Sequence, residues 1–136
     1  MDRVAVYLAA NGVAILMVSL AAGWFLYRTI LKGQDEHGWH LLHAGGSGRG
    51  LMLIGLAGTI TLLQLPVWLT RIAAWLIIIF AWSSVVAMII TALTGERGFG
   101  WFGPVANRLA YALYVMGTIA VFPAFAVFLI GFAAAL

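Results

Sequence analysis

The chain has 136 residues, of which 65% are hydrophobic and only 8% charged. That leaves too little polar surface to cover a water-soluble globule and points to one small integral membrane domain spanning residues 1–136. The formal charge of +3 comes from seven Lys and Arg scattered along the chain without a basic stripe, which argues against a nucleic-acid partner, and the lack of cysteine removes disulfides and thiolate chemistry.

A membrane span needs about 20 predominantly apolar residues. Four such stretches follow one another, at about 4–31, 39–65, 72–93 and 105–135. The first is longer than the apolar core of a signal peptide and its Arg28 and Lys32 follow rather than precede it, so it is expected to be a mature helix. The first link, "KGQDEHG", holds two of the four acidic residues, with His37 expected in the loop. The second span carries the histidines, and "QLPVWLT" is a tight link to the third. The last link, "TGERGFGWFGP", has four glycines and sets Trp101 and Phe102 at headgroup level, with Pro104 just ahead of the fourth helix. Pro123 predicts a kink inside that helix.

Short links between successive spans predict an all-α, antiparallel four-transmembrane-helix bundle, since backbone in lipid must satisfy its hydrogen bonds internally. Arg28, Lys32, Arg97 and Arg108 flank the first and third links and Arg3 and Arg71 the opposite side. Four basic residues against two place the first and third links in the cytoplasm. A multi-pass protein of a bacterial inner membrane, in contact with its lipids, is the expectation.

Polar groups at bilayer depth are costly and mark an interior with a task. The densest cluster is "HGWHLLHAGGSGRG", residues 37–50. At about 100° per residue, Gly46, Ser47 and Gly50 follow His43 along one strip with almost no side chains. That strip suits either a flat ligand or the close approach of a neighbouring helix through a small-xxx-small pattern. Three uses compete for the histidines. A buried imidazole can simply be satisfied by hydrogen bonds; His40 and His43, one turn apart, can begin a zinc site but lack a third ligand at depth; and haem needs only one or two axial ligands in a greasy slot with a basic partner for its propionates. Arg49 lies about ten residues into the second span, roughly 15 Å along its axis, too deep to reach the interface easily. A propionate, a carboxylate-bearing substrate or a ring of carbonyls would answer its charge.

These residues resemble the styrene oxide isomerases, small four-helix membrane enzymes that bind haem b. The resemblance rests on G-W-x-x-x-H-x-G at Gly38, Trp39, His43 and Gly45, continued by Gly50 and Met52. Gly12 and Gly23 in the first span, Trp82 and Ser83 in the third, and Phe102, Gly103 and Pro104 before the fourth support it, so most of the chain is covered. It implies His43 as the axial ligand of haem iron, a homotrimer with haem between subunits, and Gly46, Gly50 and Arg49 beside the cofactor. It also implies a Lewis-acid opening of a lipophilic epoxide and a 1,2-shift that yields a carbonyl compound. The family's substrate-orienting asparagine aligns with Arg49 and its pocket tyrosine with Met88. Arg49 is a permanent cation that cannot accept a hydrogen bond, and Met88 has no phenol. Beside an isomerase with these two positions in its pocket, a haem-binding membrane protein for electron transfer, sensing or haem handling, and a cofactor-free scaffold or transporter subunit, remain open on the sequence.

Overall fold

The computed structural model describes residues 3–136. It is built of four helices, α1 (Arg3–Leu31), α2 (His37–Thr59), α3 (Val67–Thr94) and α4 (Val105–Ala133), with a 3-10 turn at Ile60–Leu62 closing α2. Among the described residues there is no strand. The expected all-α membrane bundle is therefore observed, although its helix ends and its spans differ in detail from the expectation.

Three helices, α1, α3 and α4, are long and apolar enough to cross a membrane. The second expected span is a different kind of helix. With 23 residues, α2 is about 35 Å long at roughly 1.5 Å per residue, enough for a hydrocarbon core of about 30 Å. What it lacks is composition, because its histidines, Arg49 and glycines make it the least apolar of the four. Its neighbours compensate. The dominant packing is α1 on α2 and α3 on α4, with α2 resting on α3 and only light contact between α1 and α3. The protein is thus two helical hairpins joined through α2 and α3, with α4 on the outer flank of α3.

Local chemistry explains where the helices begin and end. Asp35 Oδ1 accepts a hydrogen bond from the His37 amide at 3.1 Å in the turn that enters α2, and His37 is the first residue of that helix rather than part of the link. At the far end α2 stops at Thr59, short of the expected residue 65, and Leu63 turns extended. α3 starts at Val67, five residues ahead of the expected 72, because the Pro66 carbonyl accepts from the Leu69 and Thr70 amides at 3.0 and 3.1 Å. α4 begins directly after Pro104 and runs without interruption through Pro123, which lies on an exposed face.

Small residues set the distance between α1 and α2. A methyl group added at Gly12 would stand 2.7 Å from the Gly50 carbonyl oxygen, and one at Gly50 would stand 2.8 Å from that of Gly12. Around this contact Leu8, Ile15 and Leu53 are fully buried, and Ile77 and Val85 continue the core onto α3. A polar cross-link joins the hairpins: Trp82 Nε1 donates to Asn11 Oδ1 at 2.8 Å, while Asn11 Nδ2 donates to the Tyr7 carbonyl.

The link from α3 to α4 is ordered from within by Asn107, which is buried at the start of α4. Its Oδ1 accepts from the Gly98 amide at 2.8 Å, and its Nδ2 donates to the carbonyls of Gly100 and Phe102 at 3.0 and 2.9 Å. Gly95, Gly98 and Gly103 take positive φ there, a region open to glycine at little cost. The same link leaves Phe99, Trp101 and Phe102 exposed, as aromatic residues at a headgroup boundary are.

Candidate functional site

His43 leaves α2 toward α1. Its Nδ1 donates to the Ser19 carbonyl at 2.8 Å, and the ring sits over Gly23, where an added methyl would lie 2.9 Å from both Nδ1 and Cε1. Gly23 therefore makes room for the imidazole, and the Ser19 carbonyl fixes its tautomer. With the proton on Nδ1, Nε2 carries the free lone pair and has no hydrogen-bonding partner among the described residues. A histidine that ligates a metal through one nitrogen commonly donates the other N–H to a backbone carbonyl in this way. Ser47 turns its hydroxyl back to the His43 carbonyl at 2.6 Å, so it adds nothing to the site.

The other two histidines stand apart. His40 and His37 are both exposed, and among the described residues no three of His, Cys, Asp and Glu gather to hold a metal ion. The donor set offers a single imidazole. That does not fit a zinc cage built from side chains, and it does fit a haem, whose macrocycle supplies four ligands of its own.

The glycine strip is occupied by α1. Gly46 is packed on the Ser19 side chain and Gly50 on Leu16 and Gly12, and both are buried. α1 fills the strip, so of the two uses the sequence left open for it, a flat ligand or a close helix, these two glycines take the second. The open surface flanking His43 lies on the next face of α2, formed by Ala44, Gly48 and Leu51, all exposed, with nothing within 4 Å of a methyl placed on Gly48.

Arg49 points elsewhere. Six residues after His43, it leaves α2 about 120° around the axis, toward α3 and α4. Its Nη1 donates to the Gly45 carbonyl at 2.9 Å, and its guanidinium carbon lies 5.4 Å from the centre of the Phe80 ring. Its Nε is buried without a partner. Met88, on α3, meets Arg49 at Gly45: a methyl there would be 2.8 Å from Met88 Cε and 3.2 Å from Arg49 Nη1. The two positions aligned with a family pocket thus converge, and they line an open cavity of about 370 Å³ together with Thr91, Tyr114, His37 and Arg97. This cavity and His43 occupy different faces of α2. Neither Tyr114 nor Thr91 is assigned a role by the sequence. Asn107, which fixes the link bearing Arg97 and Phe99, went unnoticed because a buried loop anchor has no sequence pattern of its own.

The fold and these two faces define a small α-helical membrane protein with one tautomer-locked histidine and a largely apolar cleft that contains Arg49 and Arg97. A family model described as "SOI: Styrene oxide isomerase" matches residues 4–133. The chain belongs to the styrene oxide isomerase family. A comparison with curated proteins gave no match.

Proposed function

We propose that the protein is a haem b-dependent membrane isomerase that opens a lipophilic epoxide and rearranges it to a carbonyl compound. The observation that carries this reading is the His43 imidazole, held through Nδ1 by the Ser19 carbonyl with Nε2 free to ligate iron. Bound ferric haem would supply a Lewis acid for the epoxide oxygen, the Meinwald type of chemistry.

The chain's own part is to hold and to exclude. Ser19 and Gly23 orient the ligand imidazole, and the donated Nδ1 proton raises the basicity of Nε2. Apolar surroundings keep water from a carbocation developing at a benzylic or tertiary carbon, so that a 1,2-shift completes the rearrangement without net oxidation or reduction. The bare surface of Ala44 and Gly48 beside His43 supports a homotrimer in which haem lies between subunits, since that surface has no cover within one chain. In such an assembly a neighbouring protomer would bring the Arg49 and Met88 cavity to the cofactor. The setting in this proposal is a bacterial cytoplasmic membrane with the first and third links inside.

The test is turnover by purified, haem-loaded protein in lipid. Aryl and terpenoid epoxides, styrene oxide among them, are expected to give the corresponding aldehyde or ketone, followed by gas chromatography. A six-coordinate haem with two protein ligands, together with an unchanged epoxide panel, would replace this reading by electron transfer or haem handling.

A further inference from the structure

Arg49 carries a charge that the described fold does not answer. It sits twelve residues from the start of α2, about 18 Å along the axis, where a charge is poorly solvated. Among the described residues it makes one hydrogen bond, to the Gly45 carbonyl, and lies over one aromatic face. Its Nε is buried without a partner, Nη2 makes no hydrogen bond among the described residues, and no carboxylate there pairs with it. The acidic residues Asp35, Glu36 and Glu96 line no part of the cavity, whereas two further basic groups, His37 and Arg97, do. Leu41, Met88 and Phe99 supply apolar wall, and the volume of about 370 Å³ falls within the range of small-molecule pockets, about 300–1,000 Å³.

We infer that this cavity is a binding site for a lipophilic monocarboxylate, whose apolar body lies against Leu41, Met88 and Phe99 and whose carboxylate is held by Arg49. The guanidinium offers Nη2 as a donor, and the negative charge compensates a cation that would otherwise remain unpaired in a low-dielectric setting. Tyr114 and Thr91 place hydroxyl groups on the same wall. An amide at position 49 would accept and donate to a neutral oxygen; a guanidinium selects an anion. Taking the ligand as the enzyme's substrate rests on the proposed function, but the binding itself requires neither haem nor turnover.

The experiment is isothermal titration of the full chain in lipid nanodiscs with 3-phenylpropanoate and with the matched neutral 3-phenylpropan-1-ol, at neutral pH. The carboxylate is expected to bind at least tenfold more tightly than the alcohol. Arg49→Gln is expected to abolish that preference, and Arg49→Lys, which keeps the charge, to retain part of it, both with haem absorbance unchanged. Equal affinities for the two probes, or a preference that survives Arg49→Gln, would overturn the site. Loss of bound haem in Arg49→Gln would also overturn it, since Arg49 would then serve a propionate. No epoxide is used, so a failure of the isomerase reading leaves these outcomes unaffected.

Discussion

Between Gly45 and Gly50, glycines on the two sides of α2 meet different neighbours and do opposite things. Facing α1, glycine closes space: Gly12 and Gly50 bring two backbones into contact, Gly46 accepts Ser19, and Gly23 on the partner helix seats His43. Facing α3 and α4, Gly45 opens space, leaving Met88 and Arg49 to share a cavity with Tyr114. The difference lies in what a methyl would strike. Against α1 it meets main-chain oxygen and a fixed ring; at Gly45 it meets the mobile ends of two long side chains, whereas Gly38, at the start of α2, closes on the Ala92 main chain of α3. A glycine's role is therefore set by its neighbour's stiffness more than by its place in a motif.

This contrast can be broken by single substitutions. The largest effect on stability is expected from Gly12→Ala, where the Gly50 carbonyl at 2.7 Å cannot yield without parting the helices. A loss of about 1–3 kcal/mol is expected, read as a lower Tm in detergent. An unchanged Tm would mean that α1 and α2 are less tightly joined than described.

Gly23→Ala tests the same face at the imidazole. The new methyl would displace the His43 ring from Ser19, weakening haem retention by about 10–100-fold while leaving the helices assembled. Competition for haem by apomyoglobin measures it, and retention equal to the parent would remove Gly23 and Ser19 from the site. On the opposite face, Gly45→Ala is expected to cost little stability, under about 0.5 kcal/mol, because Met88 Cε and Arg49 Nη1 can move aside. Its signature would be confined to weaker carboxylate binding in the Arg49 cavity, with the haem spectrum intact.

Much of this architecture is legible in the sequence, for reasons that stop at identifiable points. Helix number follows from apolar runs, and antiparallel pairing from short links. Helix ends differ from the expectation where local hydrogen bonds decide them, as the Pro66 carbonyl does for α3. Periodicity placed Gly46 and Gly50 on one strip but could not say whether a helix or a ligand covers it, since both require the same absent side chains. The meeting of Arg49 with Met88 was foreshadowed only by their alignment with family pocket positions. Contacts such as Trp82 with Asn11, 71 residues apart, have no local signature at all.

The central claim is that His43 is the residue through which this chain holds haem. It is tested most directly by the absorption spectrum of His43→Ala, purified beside the parent after expression with added haem. Loss of the Soret band, with yield and oligomeric state preserved, is the predicted result. A His43→Ala protein that keeps the parent's Soret band would contradict the account and move the ligand elsewhere, with exposed His40 the next residue to test.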